Sequence, residues 1–180
     1  MAMYLSRFID EDAGLAFSFK VNPESCGNNS HYEEYLRFCA ITDQKSGKGV
    51  THVLVDECAD SHKKAIVGFI TLKASCLNKR YENYISGHPS IEIAELAVDM
   101  DFEGNGYGTD LVNYAYVVAN KLRHEYAGIE YIVTCADPVS EFFYGKFGFS
   151  RLEDYYEVPR EGWNVDCIPM FHKLPELKFS

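Results

Sequence analysis

The sequence predicts a mixed α/β fold: one domain spanning residues 1–180, with a mostly antiparallel sheet of about six or seven strands, a central parallel pair and flanking helices. Three observations carry this. First, Val50–Val55 and Ala65–Leu72 are apolar, strand-like runs joined by the polar segment Asp56–Lys64, which makes an antiparallel hairpin. Second, the strand-like run Ile91–Val98 is followed by Leu111, Ala115, Val118 and Leu122 at helical spacing, then by a second strand-like run, Ile129–Cys135. A strand, a helix and a strand of this length imply a parallel crossover. Third, Tyr155–Val158 and Cys167–Leu174 read as two closing strands. A chain of 180 residues suffices for one well-packed domain, and neither a repeat nor a linker interrupts it.

The remaining elements follow in order. Tyr4–Phe8 is a short strand, and Asp10-Glu11-Asp12 suits a helix start, where acids meet the positive end of the helix dipole. Ser30-His31-Tyr32-Glu33 has the form of a capping box, and Tyr35, Leu36, Cys39 and Ala40 then recur at helical spacing. Ser46-Gly47-Lys48-Gly49 ends that helix. A loop through Gly87, His88 and Pro89 leads into Ile91–Val98. Pro138 starts a short helix reaching Lys146, and Gly148 ends it.

Composition narrows the function classes. Hydrophobic residues make up 47% of the chain, so a substantial core is expected. No apolar run approaches the roughly 20 residues that span a bilayer, and the first ten residues lack the pattern of a signal peptide. The expectation is a cytoplasmic protein with no membrane partner. Cys26, Cys39, Cys58, Cys76, Cys135 and Cys167 are widely spaced, without metal-ligand spacing, and read as free thiols. No metal is expected. The net charge of -10 disfavours general nucleic-acid binding. The charge is uneven, however. Residues 41–80 carry seven Lys or Arg against four acids, including Lys63 and Lys64, and read as a solvated face or a partner surface.

The run Phe102-Glu103-Gly104-Asn105-Gly106-Tyr107-Gly108-Thr109-Asp110-Leu111 holds three glycines at alternate positions between a strand and a helix. Glycine serves where a backbone must turn sharply or approach a ligand closely. A helix start offers unpaired N–H groups and partial positive charge, which suit a phosphate. The run is neither the Rossmann fingerprint nor a Walker loop.

Two blocks carry a family resemblance. Glu92-Ile-Ala-Glu95-Leu-Ala-Val98-Asp99 followed by Glu103-Gly-Asn-Gly106-Tyr-Gly108 is similar to the strand and Q/R-x-x-G-x-G/A loop of the GNAT superfamily of acyl-CoA-dependent N-acetyltransferases. Asp137-Pro-Val-Ser140-Glu-Phe-Phe-Tyr144-Gly-Lys-Phe-Gly148-Phe149 resembles that superfamily's N-x-x-A-x-x-x-Y-x-x-x-G-F. The resemblance implies a GNAT-like fold and acetyl-CoA as co-substrate. It also implies that the backbone of Leu96, Ala97 and Val98 pairs with pantetheine. The amides of Gly104, Asn105, Gly106, Tyr107, Gly108 and Thr109 would hold the pyrophosphate. Glu103 stands where the family usually has Gln or Arg, and Asp137 and Ser140 where it has Asn and Ala near the thioester. Tyr144 matches the family's general acid. Glu92 matches an acidic strand position used as base in some branches. Glu95 lies on the opposite face unless a bulge intervenes, and many relatives use a water chain instead.

These implications lead to an N-acetyltransferase acting on a primary amine of a small molecule or peptide. Contacts to that substrate would come from the N-terminal helices and the loop 77–90, and the acidic surface suits a cationic amine. Ser25-Cys26-Gly27-Asn28, Gly49–Val53 and Val67–Leu72 resemble the toxin branch of the superfamily, which acetylates aminoacyl-tRNA and pairs with a protein antitoxin. That is the alternative function, with tRNA and an antitoxin as partners. A silent acetyl-CoA-binding module and a homodimer also stay open.

Overall fold

The computed structural model describes residues 2–24, 29–57, 64–152, 156–157 and 166–177. The chain forms two compact units: residues 1–73 with 93–114, and residues 74–92 with 115–180. The elements in chain order are β1 (Ala2–Arg7), a 3-10 helix (Asp10–Phe17), α1 (Asn29–Glu34), a π turn (Tyr35–Cys39), α2 (Ala40–Lys45), β2 (Val50–Glu57), β3 (Lys64–Arg80) and β4 (Ile85–Val98). A 3-10 turn (Met100–Phe102), α3 (Tyr107–Glu125), β5 (Tyr131–Ala136), a second 3-10 turn (Pro138–Ser140) and α4 (Glu141–Gly145) follow. The strands β6 (Ser150–Arg151), β7 (Tyr156–Glu157) and β8 (Ile168–Lys173) complete it. The sheet is mixed and mostly antiparallel, with one parallel neighbour pair, β4 and β5. The strand β3 and the strand β4 each contribute to both units.

In the first unit β1 pairs antiparallel with β2, and β2 with β3, from Val50↔Leu72 to Glu57↔Lys64. The register shifts between Leu54 and Val55. This is the hairpin read from the sequence, although residues 58–63 of its connection lie outside the described residues. Phe8, Phe19, Tyr35, Leu36, Val53, Val55, Ile66, Phe69 and Ala97 form the core of this unit. Gly68 is required by close packing. A Cβ there would lie 3.0 Å from the Ala97 carbonyl oxygen and 3.1 Å from Leu111.

The helical segment 29–45 departs from a regular helix. Tyr35, Leu36 and Ala40 are buried, but Cys39 is exposed. The π turn explains this, because its i to i+5 winding bonds the Ala40 N–H to the Tyr35 carbonyl and so sets Ala40, rather than Cys39, over Tyr35. Glu33 does not act as the far side of a capping box. Its carboxylate accepts from the Val21 N–H and binds Arg37, whose guanidinium also donates to the carbonyls of Ala16 and Phe19. Gly47, at φ +76°, ends α2 as the sequence suggests.

In the second unit β5 pairs antiparallel with β8, β8 with β6, and β7 with the end of β3. Leu77, Tyr131 and Val133 form its core, with Leu152 and Phe171 against them. Two expectations are corrected here. Residues 77–90 are not a loop. The strands continue to Arg80 and restart at Ile85, and only 81–84 turns, closed by Tyr81 N–H to the Tyr84 carbonyl at 2.9 Å. Gly87 sits in β4 because a Cβ there would meet the Cys76 sulfur at 2.9 Å, and Pro89 offers its carbonyl to the Glu130 N–H. Cross-strand pairing thus outweighs the turn propensity of Gly and Pro. The second correction concerns the cysteines. Cys135 and Cys167 form a disulfide, because antiparallel pairing of β5 with β8 aligns the end of one with the start of the other. Cys39 and Cys76 are free, and Cys26 and Cys58 lie outside the described residues.

Among the described residues no helix is long and apolar enough to cross a membrane, and no cluster of His, Cys, Asp or Glu could hold a metal ion.

Candidate active site

The glycine turn belongs to the first unit and is fixed from two sides. Asp99, buried at the end of β4, donates its N–H to the Val67 carbonyl and accepts from the Lys20 and Asp101 N–H groups. Met100 N–H in turn bonds the Lys20 carbonyl. The strand end is thereby tied to the segment before α1. Beyond it, the Asn105 side-chain amide donates to the carbonyls of Phe102 and Glu103, curling the loop on itself. Gly104 and Gly106 adopt φ of +77° and +88°, a region unfavourable to residues with a Cβ. No atom lies within 4 Å of a Cβ built at either glycine. The turn is therefore open on the side where glycine removes bulk.

The first helical hydrogen bond of α3 runs from Asp110 N–H to the Gly106 carbonyl. Tyr107, Gly108 and Thr109 accordingly form the first turn, whose N–H groups have no intrahelical acceptor. Those amides, the two left-handed glycines and the open space fit a pyrophosphate. Glu103 does not oppose it freely, because its carboxylate accepts from the Asn22 side-chain amide at 3.1 Å. Asn22 was not identifiable in the sequence, since 81 positions separate it from Glu103.

Leu96, Ala97 and Val98 end β4 in the same unit. Ala97 packs in the core that includes Tyr35 and Leu36, whereas Val98 lies near the Gly68 position that also meets Leu111. Glu95 shares the Ala97 face by strand alternation. Its two carboxylate oxygens lie 3.0 and 3.1 Å from Nε2 of His31, on α1. In the sequence His31 is marked only as part of the capping-box pattern, since 64 positions separate it from Glu95. Beside it, the Tyr32 and Tyr35 rings lie at centroid distances of 5.5 and 6.4 Å. Burial pushes the Tyr35 phenol up to about 12. The neighbouring Thr51 and Thr71 hydroxyls pull the other way, but they bond each other at 2.8 Å, and the Tyr35 hydroxyl makes no hydrogen bond of ordinary geometry.

Glu92, Asp137 and Tyr144 fall in the second unit. Glu92 and Asp137 are both buried. Asp137 precedes the turn Pro138–Ser140, and its carbonyl accepts from Ser140 N–H. Tyr144 is buried on α4 between the rings of Phe143 and Phe149, at centroid distances of 5.2 and 5.5 Å. Its carbonyl takes the Phe147 N–H, and Gly148 at φ +79° closes the element. These two ring contacts hold the Tyr144 side chain in place.

Four of the basic residues of 41–80 are engaged locally. Lys45 pairs with Asp10, Lys48 approaches Asp43, Lys64 pairs with Glu57, and Lys79 sits over the Tyr81 ring. Lys63 lies outside the described residues.

A strand end, a left-handed glycine turn and an open helix start fit an acyl-CoA-binding protein. Consistent with this, the sequence profile of the acetyltransferase (GNAT) domain matches residues 47–151, more than half of the chain. The chain belongs to the GNAT acetyltransferase family, and acetyl-CoA is its co-substrate. No curated protein matches it by sequence. Among solved structures it resembles a tyrosine-to-phenylalanine mutant of KacT, with a TM-score of 0.74, 18% identity and coverage of 96% of this chain and 95% of that one. It also resembles AtaT complexed with acetyl-methionyl-tRNAfMet, with a TM-score of 0.68, 18% identity and coverage of 93% and 94%. A tyrosine-to-phenylalanine mutant of the AtaT toxin, bound to the C-terminus of the antitoxin AtaR and to acetyl-CoA, matches with a TM-score of 0.64, 19% identity and coverage of 95% and 92%. At these identities the likeness establishes the fold.

Proposed function

We propose that this acetyltransferase moves the acetyl group of acetyl-CoA to the α-amine of an aminoacyl-tRNA by direct attack. The observation that carries the choice of acceptor is the end-to-end likeness to AtaT in complex with acetyl-methionyl-tRNAfMet, over 93% of this chain and 94% of the other. This acceptor is favoured over the small-molecule or peptide amine expected from charge alone. By the same likeness, a protein antitoxin is the expected partner.

The roles of the residues follow from chemistry. Bound acetyl-CoA supplies an activated thioester. The first-turn amides of α3 and the turn at Gly104 and Gly106 would hold its pyrophosphate, and the backbone of Leu96, Ala97 and Val98 its pantetheine arm. Asn105 shapes the turn, and Asn22 holds Glu103 by its carboxylate. The Tyr144 phenol gives its proton to the departing thiolate, and an acid of β4 takes one from the incoming ammonium. Asp137 stands beside the thioester end by the family pattern.

A second reading, a small cationic amine as acceptor, is favoured by the net charge of -10. One experiment separates the two. The purified chain is incubated with labelled acetyl-CoA and either methionyl-tRNA or spermidine, at two salt concentrations. The proposal expects label on the tRNA and loss of activity as salt rises, because phosphate contacts release counterions. Label on spermidine alone, with weak salt dependence, would replace it with the second reading.

A further inference from the structure

We infer that Glu95 is the β4 acid that takes up the proton of the acceptor amine, and that His31 is its positioning residue. The inference rests on the acetyl-transfer reading above. Three observations lead to it. Nε2 of His31 is nearly equidistant from the two Glu95 oxygens, at 3.0 and 3.1 Å, so one N–H is shared by the whole carboxylate. Such a bond fixes the plane of the carboxylate as well as its position. Glu95 immediately precedes Leu96–Val98, the strand end assigned to pantetheine, and one strand residue advances only about 3.3 Å. Burial distinguishes the base from its positioning residue. The Glu95 side chain is 12% exposed and the His31 side chain 47%.

The groups around the pair are consistent with this role. Tyr32 and Tyr35 place aromatic rings beside His31 from α1 and the π turn, and Asp43 and Glu95 are the acids that act on the Tyr35 phenol. Within α1, Glu33 is committed to Arg37 and the Val21 N–H. The step balances simply. The ammonium of the acceptor gives one proton to the Glu95 carboxylate, which becomes a carboxylic acid, and the amine lone pair is released for attack on the thioester carbonyl. His31 keeps its own N–H throughout and holds the carboxylate in place while the proton is transferred.

The test compares the full chain with Glu95→Gln, His31→Leu and His31→Gln, using acetyl-CoA with whichever of methionyl-tRNA and spermidine the wild type turns over. Thermal unfolding with and without acetyl-CoA shows that each variant is folded and still binds the donor. Glu95→Gln should lower kcat by about 10²- to 10⁴-fold, the usual range for loss of a general base, with KM for acetyl-CoA unchanged. His31→Leu should lower kcat and leave KM for acetyl-CoA unchanged, because the carboxylate loses the donor that holds it in place. His31→Gln, which retains a side-chain N–H, should recover part of that loss. A merely structural pair would alter the melting temperature in step with kcat, without the selective recovery of kcat in His31→Gln. Wild-type kcat in Glu95→Gln or in His31→Leu, or no recovery in His31→Gln, overturns the inference while leaving the acetyl-transfer reading intact. If the wild type binds no acetyl-CoA and acetylates neither acceptor, the acetyl-transfer reading fails and this inference fails with it.

Discussion

The glycine turn and the Glu95–His31 pair belong to the same unit but are built by opposite means. The turn is made of backbone from one short stretch, residues 103–110, and works through amides, left-handed φ angles and missing Cβ atoms. The pair is made of side chains from positions 64 apart, brought together by packing of α1 on β4. A backbone-built site is damaged by adding atoms, and a side-chain site by removing them. Binding should therefore be sensitive to bulk at the glycines, whereas turnover should be sensitive to deletions of single functional groups.

The largest effect expected of that division is on turnover. Tyr144→Phe removes one oxygen and keeps the ring between Phe143 and Phe149. Loss of a general acid should lower kcat by about 10²- to 10⁴-fold with little change in acetyl-CoA affinity, measured by steady-state kinetics and calorimetry. Near-normal turnover would reduce Tyr144 to a packing residue.

Gly106→Val tests the other side of the comparison. The native φ of +88° is unfavourable for a β-branched residue, so the ligand-free protein should lose about 1–2 kcal/mol. The added methyls would also fill the open side of the turn. Acetyl-CoA at about 100 times its wild-type dissociation constant stabilises a binding protein by roughly 2.7 kcal/mol, and that increment should vanish in the variant. A preserved thermal shift would mean that the pyrophosphate is held elsewhere.

Asn22→Ala sharpens the comparison, because it removes a side chain that supports the backbone site. Losing its bond to Glu103 should cost about 0.5–1.5 kcal/mol in stability. Acetyl-CoA affinity should fall modestly, since Glu103 then loses the Asn22 donor that offsets its charge, and high salt should restore part of it. Unchanged affinity at low salt would show that Glu103 does not face the phosphates.

The smallest expected effect is a pH dependence outside both sites. Burial, with a lesser contribution from Arg7, pushes the His52 imidazole below its ordinary value, and its ring lies 4.9 Å from that of Tyr114. The unfolded chain therefore takes up a proton that the folded chain resists as pH falls below 6.5. Folding stability should decline on acidification through that range. His52→Phe, which keeps the ring contact, should flatten the decline in chemical denaturation measured between neutral and mildly acidic pH.

How much of this was legible beforehand differs between the same two regions. The sequence by itself determined the glycine turn, the α4 helix carrying Tyr144, the 50–72 hairpin and the parallel crossover. Each depends on neighbours in the chain. A left-handed φ needs glycine at that position, a helix stripe needs its own spacing, and alternate apolar residues mark a strand. Only the tertiary structure decided the His31 partner of Glu95, the hold of Asn22 on Glu103, the Cys135–Cys167 bond and the continuation of strand through 77–90. It also decided the π turn that exposes Cys39. These depend on which distant segments pack together. A histidine, an asparagine or a cysteine carries no local mark of the group it will meet, and a Gly-His-Pro stretch becomes a strand only when its neighbours supply the hydrogen bonds and the close contacts that require it.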